Sequence, residues 1–302
     1  TQIYDYRPNM TVTLRAALWM LGAITSFSAM ALAGRALASE YDTFEIMLYR
    51  SAVGLVIVVA VAAYAGTLNQ ITRDALGLHM MRNLAHFTGQ NLWFYAVTVA
   101  PLALVFALEF TTPLWVIVLS ALLLGERLTA WRALAALIGF AGILIVARPG
   151  MTPISLGMIM AAASAIFFGL TFIFTKKLTR RQSITAIMFY LTLLQLIFGL
   201  IAAGYDGDIA PPTQAGTPLL VLVGLCGLLA HFCITNALNI APAAVVAPFD
   251  FARLPVIAVV GMLVYGEALD IWVFIGAMVI FGGNYLNIWA EGRETATDSS
   301  TA

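Results

Sequence analysis

The sequence predicts an all-α integral membrane protein with ten transmembrane helices, arranged as two inverted five-helix repeats. Three observations predict this fold: an apolar composition, ten apolar runs of spanning length, and a repeat of the sequence at an offset of 141 residues. Hydrophobic residues form 62% of the 302 residues and charged residues only 10%, whereas soluble domains contain about 25% charged residues. The mean hydropathy is +0.94. This composition excludes a soluble globular domain.

Ten apolar runs reach the length of about 20 residues that a membrane-spanning helix needs. Turn-forming residues separate the runs. Pro101 and Pro242 begin two of them, and because proline suits the first turn of a helix, both positions predict tight hairpins. The predicted spans are Leu14–Leu37, Phe44–Tyr64, Ala75–Val99, Leu102–Leu124, Ala130–Ala147, Ile154–Lys176, Ile184–Gly204, Pro218–Leu238, Ala243–Tyr265 and Ile271–Ala290.

Basic residues are distributed unequally between the two sides of this arrangement. When the loops are assigned alternately from the N-terminus, eleven Lys and Arg residues fall on one side and two on the other, with Arg50 and Arg253 inside spans. Loops rich in Lys and Arg face the cytoplasm. The sequence therefore predicts that both termini are cytoplasmic, with tails at residues 1–13 and 291–302.

The repeat is clearest where residues 100–142 are laid over residues 241–283 without a gap. The coincident residues are Pro101 with Pro242, Glu109 with Asp250, Gly125 and Glu126 with Gly266 and Glu267, and Trp131 with Trp272. The two repeats are predicted at residues 14–149 and 150–290. Because each holds an odd number of spans, the second enters the membrane from the opposite side. Inverted repeats are typical of alternating-access transporters, which bind substrate near the midplane where the repeats meet.

The two Gly-Glu pairs are predicted to have a structural role. Glycine ends a helix in a left-handed conformation, and a glutamate just before the next helix favours the N-terminal dipole of that helix.

Particular segments in the repeats resemble the drug/metabolite transporter superfamily of the EamA type. They are Pro113 to Trp115, Leu124 to Leu128, Trp131, Gly139 to Gly142, and in the second half Pro255 to Glu267 with Trp272. The resemblance covers about residues 14–290. It implies a secondary carrier, often an exporter of amino acids or similar metabolites, in which helices 1, 3, 4, 6, 8 and 9 surround a central cavity. The proline after the buried acid differs by one position between the halves, at Pro113 and Pro255, so the halves are not equivalent.

The third span carries a polar stripe. His79, Asn83, His86 and Gln90 recur at helical spacing, and Trp93 continues the same face. Polar groups that face lipid are costly, so we expect this face to line a substrate-binding cavity. The alternative is hydrogen bonding between packed helices.

The eighth span carries a shorter stripe of His231, Thr235 and Asn239. The repeat offset places His231 on Gln90. The two stripes therefore predict two walls of one substrate site, with interhelical packing as the alternative.

Four ionisable residues are predicted inside spans: Arg50, Glu109, Asp250 and Arg253. Such residues are either functional or members of structural ion pairs. Asp250 and Arg253 are three residues apart and predict an ion pair on one helix face, either to recognise a zwitterion or to clamp the helix. Arg50 and Glu109 lie at similar depths, so we expect them to pair across helices. Glu109 and Asp250 are also candidates for proton coupling.

These patterns predict a secondary active or facilitative transporter with no cofactor, no catalytic residue and no metal site, since motifs for nucleotide binding, hydrolysis and metal ligation are absent from the sequence. From the resemblance we expect it to move amino acids outward. We expect a bacterial inner membrane, in which the protein is a monomer or weak homodimer surrounded by lipid. The net charge of zero gives no reason to expect a nucleic-acid partner. The alternatives are an exchanger of nucleotide sugars or drug-like compounds, an intramembrane enzyme and a passive channel.

Overall fold

The computed structural model describes residues 10–124, 129–151, 153–240 and 249–300. It does not describe the side chains of residues 10–13, 124, 235, 238, 239 and 290–300. The described part is built from α-helices, with one short 3-10 turn at Leu68–Gln70. The helices are α1 (Met10–Leu37), α2 (Thr43–Tyr64), α3 (Leu76–Val99), α4 (Leu102–Glu109), α5 (Thr112–Leu124), α6 (Ala130–Ala147), α7 (Leu156–Leu178), α8 (Ile184–Ala203), α9 (Gly216–Ile240), α10 (Arg253–Tyr265) and α11 (Ile271–Ser300).

Capping residues set several helix starts. The Asp42 carboxylate accepts from the Glu45 amide at the start of α2, and the Glu45 carboxylate accepts from the Asp42 amide in return. Ser155 and Ser183 accept in the same way from the first turns of α7 and α8. Each cap satisfies an amide that has no partner inside the helix. These residues lie at the ends of the predicted spans, so local sequence determines where the helices begin.

The predicted spans that the structure describes in full agree with the helices within a few residues, with two exceptions. The tenth span was predicted to end at Ala290, whereas α11 continues to Ser300, and the fourth span is broken. The predicted helix Leu102–Leu124 is divided into α4 and α5 at Phe110 and Thr111. The physical reason is Pro113, whose ring conflicts with the carbonyl of Glu109 four residues earlier. The hydroxyls of Thr111 and Thr112 donate to the carbonyls of Leu108 and Glu109 at 2.6 and 2.7 Å.

Eight helical segments of the described residues are long and apolar enough to cross a membrane. The third predicted span is not among them, because the polar stripe of α3 lowers its hydropathy. The ninth predicted span is described only from Phe249 onward. Its hairpin, at Ala241 and Pro242, lies outside the described residues, as do Gly125 and Glu126.

The helices form two compact units that do not coincide with the sequence repeats. The first unit holds residues 1–28, 101–154 and 229–302, and the second unit holds residues 29–100 and 155–228. Each unit therefore combines helices from both repeats, and α1 and α9 each contribute to both units.

In the first unit, α6 packs along α11 through small residues. A Cβ at Gly142 would lie 2.8 Å from the Gly276 carbonyl oxygen, and one at Gly283 would lie 2.7 Å from the Ala135 carbonyl oxygen. The two contacts are equivalent under the 141-residue offset of the repeat, since Gly142 corresponds to Gly283 and Ala135 to Gly276. The internal repeat of the sequence is thus present in the packing as a pair of reciprocal contacts.

In the second unit, α3 packs along α7 and α2 packs along α8. A Cβ at Gly89 of α3 would lie 3.0 Å from the Phe167 side chain of α7, and one at Gly199 of α8 would lie 2.9 Å from the Leu48 backbone of α2. Small residues of this kind allow close approach of helices in membranes, where there is no hydrophobic effect to join them.

Candidate functional site

The described part of the first unit contains a charged group surrounded by aromatic rings, which we call the Arg253 cluster. Its members come from α1, α4 and α10 and from the segments beside α4 and α10; they are Phe27, Phe106, Glu109, Phe110, Asp250 and Arg253.

Arg253 holds two carboxylates. Its Nη2 atom lies 3.1 Å from Glu109 Oε1 and 3.5 Å from Asp250 Oδ2. The pair predicted between Asp250 and Arg253 is therefore present. Glu109, which was predicted to pair with Arg50, is engaged by Arg253, and its pairing with Arg50 stays a prediction.

Three phenylalanine rings enclose the Arg253 guanidinium. Its central carbon lies 4.8, 4.9 and 5.1 Å from the ring centres of Phe27, Phe106 and Phe110. A guanidinium at these distances is attracted by the negative faces of aromatic rings. Phe110 also stacks on Phe251 at 4.3 Å. Phe110 and Phe251 are equivalent in the two repeats, so the cluster is built around residues that the repeat relates.

Part of the hydrogen-bonding capacity of the cluster is unused. Arg253 is 3% exposed, yet its Nε and Nη1 atoms have no hydrogen-bond partner among the described residues. Asp250 Oδ1 is likewise buried and unpartnered there. Buried polar groups without partners are costly. The cluster therefore offers two donors and one acceptor next to aromatic surfaces.

The α3 stripe is buried inside the second unit. His79, Asn83, His86, Gln90 and Trp93 are each at most 5% exposed, which agrees with the expectation that this face avoids lipid. Whether any of them contacts substrate remains a prediction.

Hydrogen bonds join the α3 stripe to α8. The Asn83 amide donates to the carbonyls of His79 and Tyr190, and the Gln195 amide lies 3.1 Å from His86 Nδ1. The His79 ring packs on Tyr190 at 4.4 Å. The geometry of Asn83 and His86 in this structure is thus that of interhelical hydrogen bonding.

The polar stripe predicted on the eighth span lies on α9, and the structure describes one of its three side chains. The His231 ring meets the edge of Phe27 with 5.8 Å between centres, so His231 lies next to the Arg253 cluster. The side chains of Thr235 and Asn239 lie outside the described residues.

The second unit also holds two arginines inside helices, Arg50 of α2 and Arg82 of α3. Arg82 Nε donates to Thr175 Oγ1 at 3.2 Å and its Nη1 donates to Asn83 Oδ1 at 2.9 Å. Arg50 Nη1 lies 3.6 Å from Met47 Sδ. The sequence signal for Arg82 was its position inside a span, directly before Asn83 of the polar stripe.

Glu267 has the structural role that was predicted for the Gly-Glu pair, but on a different helix. Its Oε2 atom accepts from the Leu102 amide at 2.9 Å, which caps α4. Gly266 ends α10 with φ +67°, as predicted for a left-handed helix terminus.

Comparison with known proteins identifies the family. The model of the EamA-like transporter family matches the chain twice, at residues 14–148 and 155–289. The chain belongs to the EamA-like transporter family. It is therefore a small-molecule transporter and not an enzyme, and it is a multi-pass inner-membrane protein.

Two relatives of this EamA-like transporter are named for the compounds they transport. An S-adenosylmethionine uptake transporter of Rickettsia bellii is 24% identical over 275 residues, which cover 91% of this chain and 94% of the relative. A riboflavin transporter of Brucella anthropi is 32% identical over 246 residues, which cover 79% and 85%. A crystal structure with a TM-score of 0.60 and 20% identity covers 90% of this chain and 95% of that one, and supports the fold alone.

Proposed function

We propose that this EamA-like transporter is a secondary carrier for metabolites that join a planar nitrogen-containing ring to a polar arm. Riboflavin and S-adenosylmethionine, the compounds for which the two relatives are named, both have this chemistry. The observation that carries the proposal is the Arg253 cluster, in which aromatic rings stand beside unpartnered hydrogen-bonding groups.

The parts of such a substrate match the parts of the cluster. A planar ring gains by stacking on phenylalanine rings, and ring nitrogens or carbonyls accept from the free Nε and Nη1 donors of Arg253. The free Oδ1 of Asp250 accepts from an N–H or O–H group of the substrate. Binding sites of small molecules are commonly this combination of an apolar wall and a few directed polar groups.

Amino acids, the substrate class expected from the sequence, satisfy only part of the cluster. Their carboxylate and ammonium groups suit Arg253 and Asp250, but most of them bring no ring to the phenylalanines. We therefore propose ring-bearing metabolites, ahead of free amino acids, as the substrates. S-adenosylmethionine carries both features, since it joins an amino-acid head to a nucleoside.

The inverted repeats fit a carrier mechanism. If each repeat adopts the conformation of the other, the outward-open and inward-open states are close in free energy, and a ligand shifts their populations through its different affinities for them. The sequence led us to expect export, whereas one relative is named for uptake. We propose that gradients set the net direction.

The proposal is tested by uptake of labelled riboflavin, S-adenosylmethionine and leucine into proteoliposomes. We expect saturable flux of at least one ring-bearing compound and little flux of leucine. Asp250→Asn is expected to reduce the flux about ten- to a hundredfold, because a charged acceptor is lost.

The matched control is Asp208→Asn, which makes the same change on an exposed loop and is expected to leave flux unchanged. Thermal unfolding of each variant in detergent shows whether it is folded. Flux of leucine alone, or equal loss of flux in both variants, would reject the proposal.

A further inference from the structure

The break in the fourth span leaves a backbone carbonyl without its usual helical partner. In a continuous helix the Leu114 amide would donate to the Phe110 carbonyl. Here the Leu114 amide donates to the Thr111 carbonyl at 2.9 Å, because Pro113 interrupts the ladder of hydrogen bonds one residue earlier. An unpaired carbonyl inside a protein is costly. The Phe110 carbonyl therefore needs a donor from outside its own helix.

Asn284 of α11 supplies this donor. Its Nδ2 atom donates to the Phe110 carbonyl oxygen at 2.8 Å, and the residue is 4% exposed. A carbonyl oxygen only accepts, so the nitrogen of the Asn284 amide is the end that faces it. The residue that corresponds to Asn284 in the first repeat is Ile143. Its side chain has no polar atom, so the repeat supplies no equivalent amide in the first half of the chain.

Close packing holds Asn284 in place. Gly283, directly before it, packs against α6, since a Cβ at Gly283 would lie 2.7 Å from the Ala135 carbonyl oxygen. On the same helix α6, a Cβ at Gly139 would overlap the Leu114 side chain of α5. α6 therefore contacts both α11 and α5. The Asn284 amide thus meets the broken backbone within a tightly packed group of helices.

The carbonyl that Asn284 binds belongs to a member of the Arg253 cluster. The ring centre of Phe110 lies 5.1 Å from the guanidinium carbon of Arg253 and 4.3 Å from the ring centre of Phe251. Glu109, the last residue of α4, directly precedes Phe110 and binds Arg253 through its carboxylate. Phe281 of α11 also packs on Phe251, with 4.5 Å between ring centres. α11 therefore contacts both members of the stacked aromatic pair.

We propose that Asn284 is a positioning residue for substrate binding, which holds Phe110, and with it Glu109, against Arg253. It acts through the Phe110 backbone and makes no contact with the substrate. Its part in transport rests on the proposed function, whereas its effect on Glu109 and Arg253 requires no ligand. Asn284 Oδ1 has no hydrogen-bond partner among the described residues, so direct contact of this atom with the substrate is the alternative that the tests must separate.

The first test requires no ligand and measures the coupling between Asn284 and Glu109. Thermal unfolding of the purified full chain in detergent is followed in a double-mutant cycle of Asn284→Leu and Glu109→Gln. Leucine has nearly the size of asparagine but no donor. We expect the change in Tm caused by Glu109→Gln to fall to about half in the Asn284→Leu background, because the carboxylate is no longer held against Arg253. If Asn284→Leu does not fold, Asn284→Ala removes the same donor and takes its place.

Asn287→Leu is the matched control for this cycle. It makes the same substitution about one turn later on α11, at a residue that is also buried, with 8% of its surface exposed. We expect the change in Tm caused by Glu109→Gln to be the same in the Asn287→Leu background as in the native chain. A general weakening of α11 packing would instead affect both backgrounds alike.

The second test measures the affinity of the full chain for riboflavin and for S-adenosylmethionine. We expect Asn284→Leu to weaken binding of the ring compound about five- to tenfold, and Asn287→Leu to leave it unchanged. In a chain that carries Phe110→Leu, we expect Asn284→Leu to weaken binding by no more than about twofold, because the ring that the amide positions is already lost. Direct contact of Asn284 Oδ1 with the substrate would give the same loss with and without the ring.

The results separate this role from the proposed function. Coupling to Glu109 in a chain that binds no ring compound would keep Asn284 as the residue that positions the Arg253 cluster and would reject the proposed function. Additive changes in Tm would overturn the positioning role whether or not a ring compound binds. Coupling without any loss of affinity for a ring compound that does bind would overturn the role in substrate binding. A loss of affinity that does not depend on the Phe110 ring would overturn it in favour of direct contact.

Discussion

At the scale of single residues, Arg253 shows how a charge is accommodated inside a membrane protein. Two carboxylates and three aromatic rings surround its guanidinium. Removing one partner of a buried ion pair leaves the other charge uncompensated, which usually costs more than the pair itself contributes. The cluster should therefore tolerate loss of all its charges better than loss of Arg253 alone.

We predict that Arg253→Met destabilises the protein by about 3–5 kcal/mol, because Glu109 and Asp250 are left without their cation. Adding Glu109→Gln and Asp250→Asn to Arg253→Met should restore much of the loss. Thermal unfolding of the purified variants in detergent, arranged as a mutant cycle, measures the coupling between these sites. If the losses in the single variants simply add in the combined variant, Arg253 does not interact energetically with the two acids.

At the scale of helices, close packing depends on positions where a side chain has no space. Gly283 of α11 is such a position, since a Cβ there would lie 2.7 Å from the Ala135 carbonyl oxygen and 2.9 Å from the Gly139 amide nitrogen. The neighbouring Gly282 has no atom within 4 Å of the same position. The same substitution at these two adjacent glycines therefore compares a tightly packed position with an open one on the same helix.

We predict that Gly283→Ala destabilises the protein by about 1–3 kcal/mol, the usual cost of overpacking. Gly282→Ala should be neutral or stabilising, because alanine favours helix by about 1 kcal/mol over glycine. Thermal unfolding of both variants side by side checks this. Equal effects of the two substitutions would show that α6 and α11 are not packed as described here.

The sequence predicted the bounds of the helices more accurately than it predicted which residues of different helices contact each other. The sixth helix has the predicted bounds, Ala130–Ala147, because a capping threonine and a chain reversal mark its ends. The break in the fourth span was readable from Pro113. Depth in the membrane predicts the height of a residue but not which helix faces it, so the pairing of Glu109 with Arg253 was not predicted. The repeat gave one further guide, since the equivalent residues Phe110 and Phe251 stack beside Arg253, which engages Glu109.

The candidate site could be predicted from the sequence only where its residues are close together along the chain. Arg253 and Asp250 share a helical face at close spacing, so their pairing followed from local geometry. The aromatic enclosure of Arg253 did not, because Phe27 and Phe106 are far from it in the sequence.

At the scale of the whole molecule, each compact unit is assembled from both repeats. The repeats are therefore a symmetry of the sequence and of its contacts, rather than two separate domains. The excess of Lys and Arg on one side predicts cytoplasmic termini, and this orientation remains a prediction. Such inverted architecture suits a carrier, because a carrier alternates between two states that the repeats can exchange.

Counterflow tests whether this EamA-like transporter is a carrier for ring-bearing metabolites. Proteoliposomes are preloaded with unlabelled riboflavin or S-adenosylmethionine, and entry of the same labelled compound is followed. We predict transient accumulation of label above the outside concentration for at least one of the two, and none in vesicles preloaded with leucine. Entry that is equally fast with every preload, or no entry above that of empty liposomes, would contradict the claim.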